Sequence, residues 1–91
     1  MTVLQIEIED TRPVAARCDS AYLHVTLADG RSLSAPLWWY PRLAKANEAA
    51  RASIEFQPMG LHWPGIDEDI SIASILRGQK APGAIDPGQA A

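Results

Sequence analysis

The chain holds a single cysteine, Cys18, so it cannot close a disulfide within itself. That fits a reducing compartment. No stretch approaches the about 20 apolar residues needed to cross a bilayer as a helix. Met1-Thr2-Val3-Leu4-Gln5-Ile6 runs straight into Glu7, Ile8, Glu9 and Asp10, without the basic start or apolar run of a signal peptide. The expected location is the cytoplasm, with no membrane contact. Positive charge is also scarce: eight Lys and Arg stand against eleven Asp and Glu, a formal net charge of −3. Arg12, Arg17, Arg31, Arg42, Lys45, Arg51, Arg77 and Lys80 are scattered among acids and form no basic stripe. Direct nucleic-acid binding is therefore not expected. Internal repeats are absent.

The motifs of common chemistry are missing as well. His24, His62 and Cys18 are widely spaced and match no zinc-ligand pattern. Asp67-Glu68-Asp69 lacks the alternating spacing and closing glutamate of a calcium loop. There is no nucleophile elbow, no phosphate-cradling glycine loop and no redox cysteine pair. No catalytic, cofactor-binding or metal residue is assigned, and no cofactor is expected. A small hydrolase remains an alternative. It would need a pocket with a histidine or serine poised beside an acid.

What is present suits one small domain. A chain of 91 residues buries only about two thirds of its unfolded surface. Aromatics that each bury about 150–250 Å² must then supply much of the core: Tyr22, Trp38, Trp39, Tyr40, Phe56 and Trp63. Residues 1–78 read as the globular domain. Residues 79–91, with Pro82-Gly83 and Pro87-Gly88, read as a flexible tail.

Alternation predicts a strand within Val3–Glu9, and Val14 to Arg17 form a short extended stretch at an edge. The hairpin over residues 22–37 is the clearest local feature. A two-residue turn at Asp29-Gly30 would split the apolar set between two faces. A loop of Ala28-Asp29-Gly30 instead pairs Val25 with Leu33 and Leu23 with Ala35. Burial selects that register, because a one-residue slip turns every side chain over. Gly30 then takes the left-handed conformation of a bulge.

Pro41 suits the first turn of a helix, and the alanines that follow favour helix. Asn47 breaks this run and caps a second short helix. Ser53–Gln57 reads equally as helix or strand. Pro58-Met59-Gly60 is a turn, and Leu61-His62-Trp63 is a strand stopped by Pro64-Gly65. Ser71 caps a last helix that runs through Arg77 and stops at Gly78. The class is α+β: a small antiparallel sheet from the N-terminal strand, the hairpin and the strand near 61–63, covered by short helices.

The candidate partner-binding residues are Trp38, Trp39, Tyr40, Arg42, His62, Asp67, Glu68 and Asp69. Adjacent tryptophans in extended chain cannot both face inward. The exposed one, with Tyr40 and Arg42, is either an interface anchor or a lid over the core. Trp63 is the core member of its pair. His62 then lies outside near Asp67 or Asp69, as a surface pair or as a pH-sensitive contact. The three acids read as a polar corner that caps backbone N–H groups near the last helix.

Asp29-Gly30-Arg31, Pro36-Leu37, Tyr40-Pro41-Arg42-Leu43, Ala46, His62-Trp63-Pro64, Asp67-Glu68-Asp69-Ile70-Ser71, Leu76 and Gly78 together resemble a bacterial family known as domain of unknown function 2442. The resemblance runs from about Val14 to Gly78. It implies an α+β domain with no established enzymatic activity. Members are often encoded beside another small protein, similar to toxin–antitoxin pairs. Some longer relatives add a helix-turn-helix domain, for which the residues after Gly78 are too few. The expected function is a non-catalytic interaction or regulatory module, one half of a two-protein unit. The expected partner is a small basic protein, and a homo-oligomer is a second option. The alternative is a transcriptional regulator acting through an oligomer or a separate DNA-binding partner.

Overall fold

Alternating burial builds the first sheet. In the computed structural model, which describes residues 11–88, β1 (Pro13–Cys18), β2 (Tyr22–Leu27) and β3 (Ser32–Pro36) form an antiparallel meander. The expected strand at Val3–Glu9 lies outside the described residues. Leu23, Val25 and Leu27 point inward from β2, which removes all three from water. The hairpin register is the expected one: Val25 pairs with Leu33 and Leu23 with Ala35. The amide of Leu27 donates to Arg31, and Gly30 carries a φ of +94°. The register of β1 shifts between Pro13 and Ala15, a bulge on a strand whose proline cannot donate to a ladder.

The chain then tightens. Leu37–Trp39 form a 3-10 turn, and α1 (Pro41–Lys45) starts on its proline. Trp38 and Trp39 thus lie in a 3-10 turn and not in extended chain, so strand alternation does not divide them. The turn sends Leu37 and Tyr40 inward and leaves both tryptophans half-buried. Asn47 accepts the amide of Ala50 at 2.8 Å and caps α2 (Glu48–Ala52), so the helical run is broken as expected.

A second antiparallel sheet follows, made of β4 (Glu55–Gln57), β5 (Gly60–Trp63) and β6 (Glu68–Ser71). The strand near 61–63 thus joins this sheet and not the hairpin's. Ser53–Gln57 resolves to an extended end, because Glu55 and Phe56 find partners in His62 and Leu61. Ser71 caps α3 (Ile72–Arg77), and Gly78 ends it in the left-handed region, both as expected. Leu61, Trp63 and Ile70 of the second sheet join Leu23, Val25 and Leu27 of the first in a single core, closed by Leu37, Tyr40, Leu43, Ile72 and Ile75. Each fully buried aliphatic side chain there contributes about 1.5–3 kcal/mol. After α3 the chain turns back, and the amide of Ala81 donates to the carbonyl of Trp39 at 2.9 Å. No helix among the described residues is long and apolar enough to cross a membrane.

Candidate interaction groove

A groove of about 440 Å³ lies between the start of α1, the strand β6 with α3, and residues 79–82. Tyr40, Arg42, Glu68 and Asp69, all expected at an interface, line it together. Their placement follows from three local events. The 3-10 turn swings Tyr40 inward. Pro41 starts α1, so Arg42 sits in its first turn. Asp67 adopts a φ of +52°, and this sharp turn sets the phase of β6. Strand alternation then puts Glu68 and Ile70 on the inner face and Asp69 and Ser71 on the outer one.

The acids therefore do not form the helix-capping corner expected of them. Ser71 alone supplies the side-chain cap of α3. Asp69 meets His62, its cross-strand partner, at 2.8 Å. Glu68 is only 5% exposed, and Arg42 stands 3.3 Å from it. A second nitrogen of Arg42 donates to the carbonyl of Asp67 at 3.1 Å. Burial raises the Glu68 carboxyl above its ordinary value; Arg42 opposes that shift, while Asp69 and Asp67 add to it. The hydroxyl of Tyr40 is buried without a hydrogen-bond partner. Burial first, and the Glu68 charge second, push its pKa up to about 12, so it stays protonated at any physiological pH.

Trp39 adjoins this groove. Its ring centroid lies 6.3 Å from that of Tyr40, and the ammonium of Lys80 sits 4.5 Å from its own ring centre. Trp38 packs edge-on against Trp39 at 6.4 Å. The part played by Lys80 is not visible in the sequence, because it lies in a Gly- and Pro-rich stretch without periodicity. The inward turn of Glu68 follows the positive φ at Asp67, which a run of three acids does not announce.

Two other clusters stand apart. Ser34 Oγ, His24 and Asp19 form a hydrogen-bonded line, with 2.8 Å between Ser34 and His24 Nδ1 and 2.7 Å between His24 Nε2 and Asp19. The line lies on the solvent side of the first sheet and ties β3 to the turn before β2. Asp19 also accepts the amides of Ala21 and Tyr22. Its carboxyl is held well below the usual range, first by His24 and then by those amides. A cleft of about 490 Å³ runs between the end of β1 and α2, lined by Arg17, Cys18, Asp19, Glu48 and Arg51 among others. Burial there raises the Cys18 thiol, which outweighs the pull of Arg51 and leaves it a poor nucleophile. Among the described residues, no three His, Cys, Asp or Glu side chains come together as a metal site would require.

Comparison with known proteins agrees with the sequence pattern. The chain belongs to the family described as Protein of unknown function (DUF2442), whose model matches residues 13–81. Its fold is similar to that of a protein of unknown function from Rhodospirillum rubrum, known from a crystal structure. The two are 28% identical, and the match covers 80% of this chain and 93% of the other with a TM-score of 0.69. No curated protein matches the chain.

Proposed function

We propose that this protein is a non-catalytic interaction module, one member of a two-protein, toxin–antitoxin-like unit, and that it docks a small basic partner. The observation that carries this reading is the pair of half-buried tryptophans beside an acidic edge. Trp38 and Trp39 are only half-buried, exposed Asp69 lines the adjoining groove, and exposed Asp67 sits in the turn just before it. Rigid aromatics with a charged rim are what protein interfaces use as anchors. The acidic edge would steer a basic partner and fix its register more than it would add affinity.

The test is co-expression with a small basic protein encoded beside this one, followed by size-exclusion chromatography of the wild type and Trp39→Ala. The expected result is a 1:1 complex that Trp39→Ala weakens by about tenfold or more, with a smaller proportional loss of stability. A variant that unfolds outright, or a complex that forms unchanged, would refute the reading.

A further inference from the structure

We propose that residues 79–84 are an autoinhibitory strap: closed, they cover the Trp38–Trp39 face, and the partner docks by displacing them. The inference rests on the interaction reading above and supplies the regulation of that site. Lys80 stands over both rings, its ammonium 4.5 Å from the centre of Trp39 and 5.9 Å from that of Trp38. The amide of Ala81 donates to the Trp39 carbonyl at 2.9 Å. Ala81 itself packs half-buried against the core, and a Cβ on Gly83 would lie 4.0 Å from Pro41 Cγ, so the segment runs on across the start of α1. A partner stacked on these rings needs the space that the ammonium fills. The face is either covered or bound.

The strap is held weakly. Among the described residues, one main-chain hydrogen bond, from Ala81 to Trp39, ties residues 80–84 to the rest of the fold. The next bond is internal to the strap: Ala84 donates to the carbonyl of Ala81 at 3.2 Å, across Pro82 and a Gly83 whose φ is +87°. That is the sequence and conformation of a type II turn, and it adds no anchor to the body. Lys80 is exposed, where a cation over a ring gains little. Against these contacts stands the chain entropy lost in holding the segment down. At the near end, Gly78 donates to Ile75 and Gln79 to Ser74, both within the close of α3. Those bonds stay when residues 80–84 lift, so the strap opens without unfolding α3 or the core. A partner that binds the open form alone has its apparent affinity reduced by the open fraction.

The test uses the full chain. Amide hydrogen exchange read by NMR should find Ala81 protected about a hundredfold or less, and buried Leu61 of β5 at least about a thousandfold. Ala81→Pro removes the donor, sets a ring carbon against the Trp39 carbonyl and changes no charge. Lys80→Gln takes the cation off the rings and is the second variant. Trp63 is fully buried, so acrylamide quenching of the fluorescence reports Trp38 and Trp39. Both variants should steepen the quenching while the Leu61 amide keeps its protection. Ala81→Pro should also bind the small basic neighbour at least about threefold more tightly than wild type, and by no more than the protection factor of Ala81, since both measure the open fraction. The strap is overturned if Ala81 is as protected as Leu61, or if neither variant changes the quenching. A Trp39-dependent complex that Ala81→Pro leaves unchanged or weakens removes the autoinhibition alone. Where no Trp39-dependent complex forms, the interaction reading falls and the autoinhibition with it.

Discussion

The indole N–H of Trp63 donates to the main-chain carbonyl of Arg51 at 3.0 Å. One buried ring thereby fastens the middle strand of the second sheet to the last turn of α2. Trp63→Phe removes the donor and leaves both a gap and an unpaired carbonyl. The expected loss is about 2–4 kcal/mol. At about 4–8 °C per kcal/mol for a domain of this size, a thermal melt will resolve it easily. A melt within a degree of wild type would show that the bond contributes nothing.

Gly60 is required by space and Gly30 by conformation. A Cβ on Gly60 would lie 2.6 Å from the Ile70 carbonyl oxygen and 3.0 Å from the Ser71 Cα, both main-chain atoms of the neighbouring strand. Gly60→Ala must push β5 from β6, at a cost of about 1–3 kcal/mol. Gly30→Ala meets nothing within 4 Å but must hold a φ of +94°. Its cost is about 1–2 kcal/mol. Urea titration of the two variants should therefore rank Gly60→Ala as equally or more damaging.

Asp19 and Glu68 tilt stability against pH in opposite directions. The native carboxyl of Asp19 is held below its unfolded value, chiefly by His24, so the folded state binds fewer protons. Its contribution is complete above the unfolded value of about 3.9 and fades as pH falls. Glu68 is raised by burial, so the folded state holds its proton longer. Its contribution is complete below the unfolded value of about 4.3 and is lost as pH rises through the raised native value. Thermal melts from about pH 3 to about pH 8 should show Glu68→Gln gaining on the wild type as pH rises and then levelling. Asp19→Asn should show its full deficit at neutral pH, and the deficit should begin to shrink as pH falls below about 3.9 toward the acid end of that range.

The Ser34–His24–Asp19 line has the order of a nucleophile, base and acid, yet it lies open to solvent on a sheet face. We expect wild type and Ser34→Ala to hydrolyse p-nitrophenyl acetate at the same rate, close to that of free imidazole at equal concentration. A rate that depends on Ser34 would make this face a catalytic one.

Features decided by the nearest few residues were readable in the chain. The hairpin register follows from Leu23, Val25 and Leu33 needing one face, and the caps at Asn47 and Ser71 follow from side-chain reach to an amide three residues on. Features decided by distant partners were not. Phe56 is extended because Leu61 lies opposite, a pairing that the ambiguous propensity of Ser53–Gln57 could not announce. Asp67-Glu68-Asp69 reads as solvated because acids usually are, and only the positive φ at Asp67 turns the middle one inward. Tyr40, named as an interface residue, instead gives its ring to the core, and its hydroxyl is buried as well.

The seam between Ala81 and Trp39 has a practical corollary for anyone fusing a tag or reporter to this protein. A junction placed directly after Gly78 would replace the strand of chain that shields the indole, and would lay bare a large sticky ring. Fusions made beyond Gly83 keep that cover in place, so the two designs should differ in solubility even though the helix before them is the same.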